Sequence, residues 1–202
     1  MSANGSEDKV SARDRILDAA LAEFGSSGFN GTPTRAIARR ARVNEVTIFR
    51  LFGSKLQLFQ AVLEERSLLS DVMKNTSFNQ EGSLDDVLYR NMRYVLGMLR
   101  QNRHMLLMLI GDASRMPELR GVISDMAARR APEILMPAFR CLMEQGQLRR
   151  MEPVVAARAM MGMVQAYFIM DDLLGTGEVD ERRDEAMLRG FVSIFLDGMR
   201  GG

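Results

Sequence analysis

Side chains that could carry catalytic chemistry are few in this sequence. The chain has one histidine, His104, and one cysteine, Cys141, in 202 residues. Asp171 and Asp172 are neighbours in a helical pattern, so their carboxylates face different directions and do not form an acid/base pair. The spacing of His, Cys, Asp and Glu matches no metal site, and no glycine-rich loop is suited to a phosphate. We therefore expect a protein that is not an enzyme and has no metal and no cofactor.

Net positive charge, in contrast, is concentrated in one short stretch. Between Gly28 and Val62 there are six basic residues and one acid, Glu45, which gives this stretch a net charge of +5. The whole chain carries +1, so the other residues sum to −4. A basic segment on a nearly neutral chain indicates contact with nucleic-acid phosphates, with a solvated charged face as the alternative. The six basic residues are Arg35, Arg39, Arg40, Arg42, Arg50 and Lys55.

Two short helices and a tight turn are predicted to position these charges. Thr32 and Pro33 are suited to begin the first helix, which we expect to end near Arg40. A turn over residues 42–44 leads to a second helix from Glu45 to Leu51, which is too short to be stable without packing. This pattern predicts a helix-turn-helix. Its inner face has Val43, Ile48 and Phe52, and its outer face has Glu45, Val46, Thr47, Phe49 and Arg50.

Several of these side chains are suited to contact duplex DNA. Thr47 can bond a base or a phosphate, and Arg50 can bind guanine or a phosphate. Thr34 and Arg35 lie in the first turn of a helix, where free N–H groups also favour a phosphate. Lys55 follows Ser54, the predicted cap of a fourth helix. The predicted DNA-binding residues are Thr34, Arg35, Glu45, Thr47, Phe49, Arg50 and Lys55.

The segment 13–63 carries a distinctive combination of residues and spacings. These are Arg15-Ile-Leu-Asp-Ala-Ala20, Phe24, Gly28, Thr34-Arg35, Ile37-Ala38, Val43, Thr47-Ile-Phe49, Phe52 and Ser54-Lys55. With them, the segment resembles the tetracycline-repressor (TetR) family. The resemblance implies three DNA-reading helices, a fourth helix that links them to a ligand-sensing helical body, and a dimer formed through the last two long helices. Repression is the family's common mode.

Three positions depart from the family pattern. Phe49 replaces a usual tyrosine, so a phenolic contact with phosphate is lost and ring packing remains. Arg42 replaces the usual glycine of the turn, and arginine tolerates a positive φ less well than glycine does. Leu51 replaces a residue that is frequently polar or aromatic. Because of these changes, the operator sequence cannot be predicted from the protein sequence.

The remaining sequence shows helical spacing throughout and few β signals. We predict an all-α protein of nine to ten helices, in which a three-helix helix-turn-helix unit is joined by a long helix to a C-terminal helical bundle. The predicted divisions are a flexible N-terminus over 1–10, a DNA-binding domain over 11–56, and an effector-binding and dimerisation domain over 57–202. Ser83 and Asp180 are predicted helix caps, Pro132 is expected to kink or split a helix, and the apolar helix Met105–Ile110 is expected to be buried on most sides.

Methionine is concentrated in the body of the chain, where 15 of 17 follow residue 73. Because methionine adapts to varied apolar shapes, these side chains suggest a pocket for an apolar or aromatic small molecule, with ordinary core packing as the alternative. Asn91 lies on an apolar stripe and is either bonded to another helix or a contact for the ligand. The predicted ligand-binding residues are Asn91, Met92, Met105, Met108, Met161 and Gln165.

The last two helices carry wide apolar faces. Two such helices from each of two subunits would make a four-helix dimer interface, whereas packing within one chain is the alternative. A two-fold dimer would read a roughly palindromic operator. The residues of these faces are Val154, Met161, Val164 and Phe168, followed by Leu188, Phe191, Ile194 and Phe195.

The sequence thus predicts a ligand-responsive DNA-binding regulator that is released from its operator by a small effector, and the resemblance implies that it is a repressor. A helical adaptor that binds a protein partner and no longer reads DNA is the alternative. No apolar run approaches the about 20 residues that a membrane helix needs, so no membrane partner is expected. The N-terminus lacks the apolar core of a signal peptide and Cys141 has no partner for an internal disulfide, so we expect a cytoplasmic protein.

Overall fold

The structure, a computed structural model, describes residues 11–66, 82–175 and 177–199. All regular secondary structure in these residues is helical, as predicted. The contacts divide the chain into two compact units, Met1–Ser67 and Leu68–Gly202. The predicted flexible N-terminus, 1–10, lies outside the described residues, and the predicted division between residues 56 and 57 falls within a helix and stays a prediction.

The first unit contains four described helices, each begun by a local signal in the sequence. They are α1 (Ala12–Ser27), α2 (Thr34–Ala41), α3 (Glu45–Phe52) and α4 (Lys55–Glu65). The side chains of Ser11, Asn44 and Ser54 accept hydrogen bonds from backbone N–H groups in the first turns of α1, α3 and α4. The predicted cap at Ser54 is confirmed.

Aromatic packing holds the first unit together. Phe24, Phe29 and Phe59 form a cluster with ring centroids 5.1 to 5.7 Å apart. Charged pairs at the surface also connect α1 with the end of α4, since Arg13 binds Glu65 and Arg66 Nε lies 2.9 Å from Asp18. The expected role of Thr32 as a helix cap is wrong. Its hydroxyl is fully buried and donates to the carbonyls of Glu23 and Gly28, so it closes the loop that follows α1.

The second unit is a longer helical bundle. Its elements are α5 (Leu84–Gln101), α6 (Arg103–Ala113), α7 (Pro117–Asp125), a π-helical segment π1 (Met126–Arg130), α8 (Ala131–Glu144), α9 (Pro153–Tyr167), a second π-helical segment π2 (Phe168–Leu173) and α10 (Glu181–Met199). The predicted caps are confirmed, because Ser83 accepts from the N–H of Asp86 and Asp180 accepts from those of Arg182 and Arg183.

The core of the second unit is formed by α5, α8, α9, π2 and α10. Phe139, Leu88, Met92 and Leu188 are fully buried in it. The expectation that the apolar run Met105–Ile110 would be buried on most sides is wrong. Met105 and Leu109 are buried, but Leu107 is 40% exposed and Ile110 is 56% exposed. Only one side of α6 packs against other helices, so its apolar residues on the other side remain at the surface.

Pro132 disturbs the helix that runs from Pro117 to Glu144, as predicted. A proline has no N–H group, so it cannot bond the carbonyl four residues earlier, which belongs to Ala128. The chain is π-helical over Met126–Arg130, immediately before this proline. The guanidinium of Arg158 on α9 donates a hydrogen bond to the Ala128 carbonyl. An arginine from a neighbouring helix thus replaces the missing backbone donor.

A buried ionic cluster joins α5, π2 and α10. Arg100 Nε donates to Asp172 at 2.7 Å, and Arg100 Nη2 donates to Asp184 at 2.9 Å. The Tyr167 hydroxyl donates to Asp184 at 2.8 Å. The hydrogen bonds from Arg100 hold the pKa of the Asp184 carboxyl below its usual value. The pKa of Tyr167 is raised, mainly by burial and also by the hydrogen bond to Asp184.

One described helical run, Pro153–Leu173, has the length and composition of a membrane-spanning helix. The expectation that no stretch approaches this length was wrong for this run, because that expectation considered only uninterrupted apolar residues and this helix includes Arg158. The run also packs Ala157, Met160 and Val164 into the core of the second unit. Its hydrophobicity therefore has a structural reason within the bundle.

Candidate nucleic-acid interface

The turn between α2 and α3 sets the direction of α3 relative to α2. Arg42 ends α2 in the left-handed conformation, with φ 54° and ψ 49°. The N–H groups of Arg42 and Val43 donate to the carbonyls of Arg39 and Ala38, which satisfies the end of α2. Arg15 Nε donates to the carbonyl of Ala41 at 3.2 Å and fastens the same turn to α1. The backbone of this turn is therefore hydrogen-bonded to α2 and to Arg15 of α1 despite the arginine at its left-handed position.

The third helix has one buried and one exposed face. Ile48 and Phe52 are buried against the unit, as predicted. Val46 is 69% exposed, Phe49 is 45% exposed and Arg50 is exposed. Because they are spaced i, i+3 and i+4, these three residues share one side of the helix, which we call the α3 reading face. Thr47, a predicted DNA contact, is half-buried beside it.

Two predicted DNA-binding residues are bound to each other. The hydroxyl of Thr34, at the start of α2, donates a hydrogen bond to the carboxylate of Glu45, at the start of α3. Both side chains are half-buried. Asn44 caps α3 beside them, and its side chain accepts from the N–H of Val46 at 3.0 Å. The first turns of α2 and α3 are thus held together, and the Glu45 carboxylate has a defined position.

The basic side chains of the first unit differ in their exposure and in their partners. Arg35 and Arg39 are exposed on α2, whereas Arg40 lies 3.3 Å from Glu23. Lys55 begins α4, and its ammonium lies 4.6 Å from the centroid of the Phe29 ring. This contact holds the Lys55 stem close to the body of the unit. Arg35, Arg50 and Lys55 all belong to the first unit, as do Thr34 and Glu45.

Groups suited to catalysis or metal binding are not assembled in the described ranges, where no group of three or more His, Cys, Asp or Glu side chains could hold a metal ion. His104 and Cys141 are both exposed, on α6 and α8. Asp171 and Asp172 have different partners, Arg183 and Arg100.

The predicted ligand-binding residues lie on three helices of the second unit. Met92 is fully buried in its core and Met161 packs against that core, whereas Met105 is buried on α6. Asn91 is 2% exposed and is not without a partner. Met108 and Gln165 are half-buried. A groove of about 210 Å³ between α5 and α10, lined by Tyr89, Arg93, Arg100, Val179 and Glu181 among others, includes none of these six residues.

Comparison with known proteins agrees with this geometry. A family model of bacterial regulatory proteins of the tetR family matches residues 16–62, which hold α2, α3 and most of α1 and α4. A model of the C-terminal domain of AefR-like transcriptional repressors matches residues 86–198, more than half of the chain.

Individual relatives extend over nearly the whole chain. The HTH-type transcriptional regulator YvkB of Bacillus subtilis is 25% identical over 186 residues, 92% of this chain and 95% of YvkB. A Mesorhizobium loti protein assigned to the TetR family superimposes with a TM-score of 0.76 at 22% identity and covers 94% of this chain and 97% of its own. The flavonoid-responsive regulator FrrA gives a TM-score of 0.74 at 20% identity with the same coverage. At these identities the two structures show a common fold. Together with the family models, these findings show that the chain belongs to the TetR family of bacterial transcriptional regulators.

Proposed function

We propose that the protein is a ligand-responsive repressor that works in the cytoplasm, binds a palindromic operator as a homodimer, and is released by a small apolar or aromatic effector. The observation that carries the proposal is the α3 reading face, because two of its three exposed side chains are apolar and the third is a guanidinium. A short helix with this face is suited to enter the major groove.

The DNA contacts follow from the positions of the side chains. Arg50 and Thr47 are proposed to contact base edges or the adjacent phosphates, and Phe49 packs on the sugar-phosphate backbone. Arg35 and Lys55 lie at the starts of α2 and α4, where charge and free N–H groups together favour phosphate. Glu45, held by Thr34, is proposed to accept from a cytosine amino group, since a carboxylate repels phosphate.

A dimer interface is supported by apolar side chains that remain at the surface of the last two helices. The apolar residues that the sequence suggested for this interface are largely used inside the chain, since Val164, Phe168, Leu188 and Phe195 are buried in the core. Ile194, in contrast, is 64% exposed. We define the outer stripe as the exposed set Val155, Ala159, Ala166 and Met170 on α9 and π2, with Met187 and Ile194 on α10. A second copy of this stripe would cover it.

An effector site in the second unit is supported by its methionines and by a similar protein. FrrA is described as flavonoid-responsive, and a flavonoid is an aromatic molecule. Met92, Met161, Met105 and Met108, with Asn91 and Gln165, are the proposed contacts, since thioether side chains adapt to apolar rings. Such an effector releases DNA only if it prefers one of the two dimer geometries.

The test uses a DNA duplex that carries the region upstream of the protein's own coding sequence. Fluorescence anisotropy measures the affinity of the protein for this duplex at increasing salt concentrations. We expect specific binding whose log affinity falls with log salt by about 0.9 per phosphate held. Arg35→Ala should reduce this slope by about one unit, and Arg189→Ala in the second unit is the matched control that should not. Salt-independent or absent binding would contradict the proposal and favour the helical adaptor.

A further inference from the structure

We propose that Val46 reads a thymine: its methyl groups contact the C5-methyl group of a thymine in each half of the operator. This inference rests on the proposed function and adds a specificity-determining residue to it. Val46 lies outside the set of DNA-binding residues that the sequence suggested. Its exposure in the structure points to this role.

Val46 is among the most exposed large apolar side chains of the described residues. It is 69% exposed, more than Phe49 and Leu51 on the same helix. Valine in a helix has one strongly preferred rotamer, so its two methyl groups are presented in a fixed direction. The backbone beneath them is also fixed, because the N–H of Val46 donates to the Asn44 side chain at 3.0 Å. A rigid apolar surface at the start of α3 is therefore available for contact.

The groups beside Val46 favour a base edge over the phosphate backbone. The preceding residue, Glu45, carries a carboxylate that is fixed by Thr34 and that repels phosphate. The side chain of Val46 cannot donate a hydrogen bond. Among the base edges in the major groove, only thymine presents a methyl group, and the first residues of a recognition helix are those that approach base edges. The start of α3 thus has the chemistry to read bases, and Lys55, at the start of α4, is suited to a phosphate.

The chain offers a matched control on the same helix. Leu51 is apolar and 42% exposed, close to the exposure of Phe49, but it lies outside the α3 reading face. Five residues separate it from Val46, which places it roughly 140° around the helix. An effect caused by general hydrophobicity of α3 would depend on both residues. An effect caused by contact with one thymine would depend on Val46 alone.

The experiment uses the full-length protein and synthetic operator duplexes in which each thymine of both half-sites is replaced in turn by uracil, which removes only the methyl group. Affinities are measured at one salt concentration for the wild type, Val46→Ala, Val46→Thr and Leu51→Ala. The unmodified operator is measured first, so that failure of the proposed function, seen as no binding by the wild type, is separate from failure of this inference. Circular dichroism verifies that the exposed-site variants are folded.

We expect one uracil position in each half-site to weaken wild-type binding about fourfold, the value for one buried methyl group. Val46→Ala should bind the thymine and uracil duplexes equally, Val46→Thr should keep part of the difference with its single methyl group, and Leu51→Ala should keep all of it. Indifference of the wild type to every uracil would overturn the inference. A thymine preference that survives in Val46→Ala, or one that is lost in Leu51→Ala, would also overturn it.

Discussion

The hydroxyl of Thr34 donates a hydrogen bond to the carboxylate of Glu45 and so connects the first turn of α2 with the first turn of α3. Both residues were candidates for DNA contact on sequence grounds. The bond gives them a shared structural role, because it sets the position of α3 relative to the helix that supports it.

Loss of this bond should weaken both folding and operator binding. Thr34→Val keeps the shape of the side chain but removes the donor, and we expect a loss of about 1 kcal/mol in the free energy of unfolding. Thr34→Ser, which keeps the hydroxyl, is the control and should bind the operator as the wild type does. Urea denaturation and anisotropy measure the two effects. Equal stability of Thr34→Val and the wild type would show that the bond contributes nothing.

Replacement of Arg42 by glycine should stabilise the first unit. Arg42 has φ 54°, and the left-handed conformation costs a non-glycine residue about 1–2 kcal/mol, of which glycine's greater freedom in the unfolded chain offsets about 0.5–1 kcal/mol. A net gain of about 0.5–1 kcal/mol is therefore expected by thermal or chemical denaturation. Arg42→Ala removes the guanidinium but keeps the conformational cost, so it should show no such gain. A gain of the same size in Arg42→Ala would assign the effect to charge.

A charge in the outer stripe should break the dimer. Ile194 is 64% exposed on α10, so Ile194→Arg leaves the core of the chain intact and places a guanidinium in the proposed interface. We expect sedimentation or light scattering to show a monomer, with operator affinity reduced. Ile110→Arg is the control, because Ile110 is 56% exposed on α6, outside the stripe. If both variants remain dimeric, the two subunits meet elsewhere.

The buried ionic cluster should make stability depend on pH through Asp184. Its carboxyl pKa is lowered mainly by hydrogen bonds from Arg100, so its contribution to stability is fully present above the unfolded pKa of about 3.9 and is lost as the pH falls through the lower folded value. The side chains of Arg100 and Asp184 are 17% and 14% exposed, and Asp184→Asn leaves Arg100 with Asp172 as its charged partner, so the substitution should cost about 2 kcal/mol at pH 7.

The difference between Asp184→Asn and the wild type should therefore shrink in acid, as measured by urea denaturation at pH 7 and near pH 3. Asp197→Asn, at an exposed aspartate on the same helix, is the control and should change stability little at either pH. A difference that is the same at both pH values would show that the carboxylate of Asp184 is not responsible.

Local signals in the sequence predicted much of the fold. The caps at Ser54, Ser83 and Asp180 are confirmed, since a cap depends on a side chain and the N–H groups two or three residues later. The disturbance before Pro132 is equally local, because the missing donor belongs to the proline itself. The helix-turn-helix was predicted for the same reason, from spacing within a short segment.

Features that depend on distant packing were not predictable in this way. The sequence does not show that Thr32 bonds back to Glu23 and Gly28, nor that Ile110 faces outward. Similarly, the apolar faces of the last two helices contain both core residues such as Phe195 and surface residues such as Ile194, and only the packed bundle separates them. The outward position of Val46, in contrast, was predicted from the spacing within α3, and the structure adds its extent, 69%.

The bond from Arg158 to the Ala128 carbonyl makes positions 132 and 158 a thermodynamic pair although they lie on different helices. Arg158→Ala alone leaves the exposed Ala128 carbonyl to water, whereas in a chain that also carries Pro132→Ala the restored amide can bond that carbonyl. The cost of losing the guanidinium should consequently be smaller in the second background than in the first. The difference between these two costs measures the coupling between the two positions.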